Sequence, residues 1–280
     1  KIAYFDCFSG ISGDMTLGAF IDLGVPVKWL KDTLCAIPLT DFDMTVSSVF
    51  RHGIKAKSIN IHTDDNAKSR NYTKIKSLIE QSPLPEMVKE NSLKIFERLA
   101  NAESKIHGCP VEKVHFHEVG GIDAIADIVG TALCVEYLGI KRISASSLPL
   151  GTGFVSCAHG TLPVPSPATL EILKGIPVFG SGIACELVTP TGAAIIATLA
   201  ESYGPMPDIT IEKTGYGAGK KDIESKPNLL RIIAGTPQNH QTGCQKETIV
   251  MMETCIDDMS PEIFGFVMDR LFEDGALDVY

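Results

Sequence analysis

Between His115 and Asp127 the chain places two imidazoles and three carboxylates within thirteen positions, a density found nowhere else in the sequence. His115 and His117 are two apart, so on an extended segment both side chains leave the same face. Glu118 follows and points the other way unless the strand is already turning. Gly120-Gly121 breaks the run, and Ile122, Ile125, Ile128 and Val129 then recur at helical spacing. Asp123 and Asp127 share one face of that helix, and Asp123 sits in the first turn, where the positive end of the helix dipole favours a carboxylate. Imidazole with carboxylate is the ligand mix of zinc, nickel, iron or manganese. Taken singly, each pair also fits an ordinary structural role, a solvated strand end or a first-turn cap. Joined across a diglycine hinge, they read as a metal or catalytic site.

The remaining elements must hold such a site. Ile2 to Phe5 reads as a strand that enters Asp6-Cys7-Phe8-Ser9-Gly10-Ile11-Ser12-Gly13-Asp14, followed by a helix from Met15 to Leu23. A small-residue loop before a helix can cradle an anion on backbone N–H groups. Asp6 and Asp14 bracket it, so a bound phosphate needs a cation between them; the alternative is an Asp-capped tight turn. The spacing is neither a Walker loop nor a dinucleotide fingerprint.

Residues 43–50 and 54–63 alternate as two strands joined by a turn at Arg51-His52-Gly53, and 64–70 form a polar loop. Helices follow over 72–81 and 85–107, the second with an apolar stripe that reads as core. The helix after Gly121 runs to Leu138. A strand over 143–150 leads into a glycine- and proline-rich loop presenting His159, a further candidate metal ligand or simply a hydrogen-bonded loop residue, and then a helix over 168–174. Thr189 and Thr191 precede a helix over 193–203, as cap or phosphate-binding hydroxyls. A strand over 208–214 enters Gly215-Tyr216-Gly217-Ala218-Gly219, where glycines allow close backbone approach to a ligand. Lys220 and Lys221 follow and can meet phosphate or carboxylate. A strand over 229–234 closes the region.

A chain of 280 residues with 44% apolar and 21% charged residues is a globular protein with a real core. The fold class is α/β, with α+β the alternative, built on a mixed sheet. Three regions are expected: 1–235 as the domain that carries the candidate site, 236–247 as a polar linker, and 248–280 as the start of a second, small domain, cut off inside a strand. The formal charge of −9 argues against nucleic acid, which needs clustered Lys and Arg, and Lys55/Lys57 and Lys220/Lys221 are too small for it. No membrane-span-length apolar run or signal peptide is visible. Eight cysteines are scattered without a C-x-x-C pair, which reads as reduced cytoplasmic thiols.

Five segments are distinctive together: Asp6 to Met15, His115 to Gly120, His159 to Pro165, Glu186 to Gly192 and Gly215 to Gly219. With them the chain resembles the nickel insertion proteins of nickel-pincer cofactor biosynthesis, the cofactor of lactate racemase. That resemblance implies a cyclometallase that places nickel into a pyridinium bisthiocarboxylate mononucleotide through one nickel–carbon and two nickel–sulfur bonds. It further implies that 1–235 is the substrate- and nickel-binding domain, that 248–280 is the truncated start of a small ferredoxin-like nucleotide domain, that the full-length protein consumes CTP with manganese or magnesium, and that the product is delivered to a lactate racemase-type apoenzyme. A homo-oligomer is compatible with it.

Set against that reaction, the residues take provisional roles of our own assignment. His115, His117, Glu118, Asp6, Asp14 and His159 are the candidate metal ligands. Asp123 and Asp127 either orient the histidines or, with Glu118, supply a base for the proton leaving the pyridinium carbon. Ser9, Gly10, Ser12, Gly13, Thr189, Thr191, Lys220 and Lys221 are the candidates for the substrate's phosphate. Two rivals remain: a non-enzymatic nickel-binding metallochaperone, and a phosphate-ligand enzyme with magnesium between Asp6 and Asp14. Because ligands collect beyond the carboxyl ends of strands in α/β sheets, Asp6, Asp14, His115, His117, Glu118 and His159 are expected to line one pocket.

Overall fold

The computed structural model describes residues 1–38, 42–63, 70–114, 116, 121–157, 160–238 and 250–279. The chain divides into two units, Lys1–Gln238 and Asn239–Tyr280. The first contains β1 (Ile2–Asp6), α1 (Gly13–Asp22), α2 (Val27–Leu34), β2 (Phe42–Arg51), β3 (Ile54–Thr63), α3 (Tyr72–Gln81), α4 (Glu86–His107) and α5 (Ile122–Tyr137). It continues with β4 (Arg142–Ala145), β5 (Leu148–Leu150), β6 (Phe154–Cys157), β7 (Gly160–Pro163), α6 (Pro167–Ile172) and β8 (Val178–Gly180). Then come α7 (Pro190–Leu199), β9 (Ser202–Tyr203), β10 (Ile209–Ala218) and β11 (Leu229–Pro237).

A seven-stranded mixed sheet runs β2-β3-β10-β11-β1-β4-β9 among the described residues. β1 lies inside it beside the central β11, parallel to β4 and antiparallel to β11. Its alternation decides the layers: Ala3 and Phe5 join the main core with the helices, whereas Ile2 and Tyr4 pack with Ile209 and Ile233 in a small cluster on the other face. The α/β class is therefore correct.

α1 covers the sheet unusually closely. A Cβ on Gly217 would lie 1.7 Å from the Met15 carbonyl oxygen, and one on Gly215 2.2 Å from that of Ala19. These glycines belong to β10, not to a loop after it, and the backbone they admit is that of α1. The expected ligand-approaching loop is thus a helix–sheet contact.

The helices over 72–81, 86–107 and 122–137 and the β2–β3 hairpin form where the sequence places them. α2 is an addition; Leu30 and Leu34 bury its apolar side. The strand expected over 143–150 splits in two, because after Ala145 the Ser146 N–H bonds to the Phe5 carbonyl and the chain leaves the main sheet. β5 then pairs with β8 instead. The stiff loop before Pro167 contains the antiparallel β6–β7 pair. The helix expected over 193–203 begins at Pro190 and stops at Leu199, so that Ser202 and Tyr203 can pair with β4.

The second unit contains α8 (Pro261–Glu273), with Ser260 at its cap position and Pro261 in its first turn. The sequence suggests strands over 248–255 and after Gly275, but residues 250–256 and 276–279 carry none. A strand needs a partner edge, and the described residues of this unit offer none.

Candidate functional site

Three helix starts meet at one cavity. The loop after β1 is held against the segment before α7 by an isolated parallel bridge between Ile11 and Val188, with Ile11 N–H donating to Leu187 O (2.9 Å) and Thr189 N–H to Ile11 O (3.2 Å). Each strand-like stub then turns into a helix behind its own cap: Ser12 Oγ accepts from Met15 N–H on α1, and Thr189 Oγ1 accepts from Gly192 N–H on α7. α5 starts beside them, capped by Gly121 without a side-chain bond. The bridge therefore brings unsatisfied backbone N–H groups of neighbouring helices toward a common space.

That space is a cavity of about 350 Å³, lined among others by Ser12, Gly13, Asp14, Asp123, Asp127 and Glu186. Thr189, Thr191, Lys220, Lys221 and Asn228 also line it, and Ile59 and Ile61 of β3 give it an apolar part. Its size is that of a small-ligand site, roughly 300–1,000 Å³.

Asp127 is the most unusual group in it. Its Oδ1 is shut off from solvent with no hydrogen-bond partner among the described residues. Only a glycine at position 13 allows the carboxyl to lie where it does, since a Cβ there would sit 2.2 Å from Asp127 Oδ2. Burial, then the charges of Asp14 and Asp123, hold the Asp127 pKa well above the ordinary carboxylate value, while Lys220 opposes them. Such a group is a stronger base than a solvated aspartate. Asp14 stays in the first turn of α1, hydrogen-bonded to the Ser12 hydroxyl.

The lysines are positioned from two sides. Asn228 donates from Nδ2 to Lys221 O (2.8 Å) and accepts at its own carbonyl from Gly219 N–H (3.0 Å). Arg51, from the β2–β3 hairpin, donates to Gly219 O at 3.2 Å.

Of the residues singled out from sequence, Ser12, Gly13, Asp14, Asp123, Asp127, Thr189, Thr191, Lys220 and Lys221 come together here. Asp6 does not. By strand alternation it lies on the Tyr4 face, away from the helices, where the Arg231 guanidinium donates to its Oδ2 from Nε at 3.0 Å and also from Nη2. Arg231 in turn lies over the Phe8 ring, 5.9 Å from its centroid. Ser9 is buried and donates to Pro227 O at 2.7 Å, so its hydroxyl holds the loop rather than a ligand. Gly10, at φ 100°, turns the loop against the Leu187 carbonyl. His115, His117, Glu118 and His159 lie outside the described residues. Their described neighbours are placed: Phe116 is buried and packs near Phe96, and Gly121 caps α5.

Glu186, Asn228, Ile59 and Ile61 were not selected from sequence. Glu186 stands inside one of the five distinctive segments, which was a usable signal. Asn228 had none, because its role depends on a turn formed by residues seven positions earlier. Among the described residues, no group of three or more His, Cys, Asp or Glu side chains is already arranged around a metal position. No helix among them is long and apolar enough to cross a membrane.

The chain was compared with known proteins. No solved structure matches it significantly. A protein of Geobacter sp. (strain M21) named "Putative nickel insertion protein" is 51% identical over 283 residues, covering 100% of this chain and 72% of its own length. Equally named proteins of Geotalea uraniireducens and Dictyoglomus thermophilum are 50% and 48% identical, with 71% and 72% of their lengths covered. The family described as nickel insertion protein matches residues 3–280. An acid-rich, helix-capped cavity and this match over nearly every residue lead to one assignment: the chain belongs to the nickel insertion protein family.

Proposed function

We propose that this chain inserts nickel into a pyridinium bisthiocarboxylate mononucleotide, acting as a chelatase that forms the nickel-pincer cofactor used by lactate racemase-type enzymes. The observation that carries this reading is the pairing, in one cavity, of two capped helix starts and two lysines with four carboxylates. The first group suits a phosphate monoester; the second suits a divalent cation and an acidic C–H. Ser12, Gly13, Thr189, Thr191, Lys220 and Lys221 hold the phosphate. Nickel is substrate here, delivered to two thiocarboxylate sulfurs and one ring carbon, with Asp14, His115, His117, Glu118 and His159 as its transient protein ligands.

Asp127 takes the proton that leaves the ring carbon as the nickel–carbon bond forms, so no electron is gained or lost. Asp123 and Asp14 keep it basic. CTP consumption with manganese or magnesium is assigned to the full-length protein, in the nucleotide domain to which 248–280 contribute, and the finished cofactor passes to the apoenzyme.

The test is single-turnover nickel insertion, read as mass and absorbance of the nickelated product, in the wild type and in Asp127→Asn. The variant should bind the mononucleotide normally and form product at least ~100-fold more slowly, the usual contribution of a general base. Product formation at the wild-type rate would remove Asp127 from the mechanism. Failure of the wild type to change the mononucleotide at all, with nickel still bound, would favour a chaperone role.

A further inference from the structure

The segment that carries Lys220 and Lys221 is tethered to a turn far away in sequence. Gly219 N–H donates to Asn228 O at 3.0 Å and closes the loop over 219–228 at its base. Within that loop Gly219 and Ile223 are buried, while Lys220, Lys221 and Asp222 between them are exposed. Exposed lysines on an unsupported loop give up conformational freedom when they close on an anion, which weakens binding. Here the loop is supported.

Two side chains of the β2–β3 turn hold its two buried ends. Arg51 Nη2 donates to Gly219 O at 3.2 Å, and His52 Nε2 lies 3.0 Å from Ile223 O. A carbonyl oxygen can only accept, so Nε2 carries the hydrogen and donates it. Beside them Ala56 of β3 packs with Ala218 and Leu229, the residues that flank the loop, and Val49 of β2 lies against the same cluster. The hairpin also brings Ile59 and Ile61 to the cavity wall. One hairpin thus supports both the apolar wall and the basic loop.

His52 stands in a turn that does not call for histidine. Its φ is 48°, the one positive value at a non-glycine position among the described residues, and Gly53 follows at 80°. A two-residue hairpin turn with both φ values positive favours Asn-Gly. What the imidazole adds is reach. Nε2 lies one bond further from the backbone than an asparagine amide nitrogen, and that extra length carries the donor to the Ile223 carbonyl.

We propose that His52, together with Arg51, is a positioning residue for phosphate binding. By holding the Ile223 and Gly219 carbonyls, the pair fixes the span on which Lys220 and Lys221 stand, so that both ammonium groups meet a phosphate monoester without ordering the loop anew. This role rests on those two lysines holding the substrate's phosphate.

The test compares, by calorimetry on the full chain, binding of the pyridinium bisthiocarboxylate mononucleotide and of its dephosphorylated nucleoside. His52→Asn should have a Tm no lower than wild type, because Asn-Gly suits the turn. It should nevertheless bind the mononucleotide about 5-fold more weakly, the scale of one hydrogen bond, with nucleoside affinity unchanged. Added to Lys220→Ala with Lys221→Ala, it should weaken the mononucleotide no further. Wild-type mononucleotide affinity in His52→Asn, an equal loss for the nucleoside, a lowered Tm, or the full loss repeated in the lysine variant would each overturn the proposal. A lysine variant that binds the mononucleotide as tightly as wild type would instead remove the phosphate from this loop, and the role of His52 with it.

Discussion

Asp6 and Asp127 are both partly enclosed carboxylates beside the loop that follows β1, yet their surroundings are opposite. Asp6 receives two guanidinium hydrogen bonds from Arg231, and its side chain is 17% exposed. Asp127 has a buried oxygen unpartnered among the described residues, two acidic neighbours, and a lysine whose effect is outweighed. A neutralised carboxylate ties two strands together. One that folding leaves without a partner stays available for a proton or a cation, at a cost to stability. The contrast separates structure from function on two sides of one loop, where residue type alone does not tell the two carboxylates apart.

The largest effect expected from breaking this contrast is on turnover. Asp127→Asn should reduce nickel insertion by ~100-fold or more, whereas Asp6→Asn should leave it within a few-fold of wild type. Parallel single-turnover assays decide it, and equal losses would mean that the two carboxylates share one role after all.

Next in size is ligand binding on the basic side of the cavity. Lys220→Ala with Lys221→Ala should weaken the mononucleotide by ~10-fold or more at low salt, corresponding to about 1.4 kcal/mol. The deficit should shrink as ionic strength rises and screens the lost charges. Calorimetric titrations at two salt concentrations measure both.

Stability should respond the other way round. Asp6→Ala removes a pair whose arginine side chain is 40% exposed, so solvent screening limits the loss to about 1 kcal/mol. Chemical denaturation of Asp6→Ala, Arg231→Ala and the double variant isolates the pair. A coupling near zero would show that the arginine serves the Phe8 ring more than the carboxylate.

The smallest effect is the pH dependence of the Asp127 variant. Folding raises this group above its ordinary value of 3.8, so the folded state favours the protonated form. Its contribution to stability is complete below that value and disappears as pH rises through the raised one. Asp127→Asn removes the titration. The variant should therefore gain on wild type as pH increases, by a few degrees in Tm on a scale of about 2–4 °C per kcal/mol, and then level off. A gap independent of pH would show that Asp127 is not titrating across that interval.

Much of the architecture was legible in the sequence because its signals are local. Strand alternation in β2 and β3, the 3.6-residue stripe of α4, and the capping residue Thr189 are set by backbone dihedrals and nearby donors. They mark elements whatever the rest of the chain does. The same holds for the gathering of acids at the start of α5 and of small residues at the start of α1.

What the sequence left open were pairings between distant segments. Nothing near Asp6 indicates that Arg231 will neutralise it, and nothing near Gly217 indicates that a helix carbonyl, not a ligand, occupies the space its missing Cβ leaves. Only the Ile11–Val188 bridge decides that α1 and α7 present their starts to one cavity. Such contacts depend on strand register and on how closely layers pack, and both are settled by burying the whole core at once. The amino-acid order supplies the chemical groups and the elements that carry them; the packed sheet decides which carboxylates are neutralised and which are left to act.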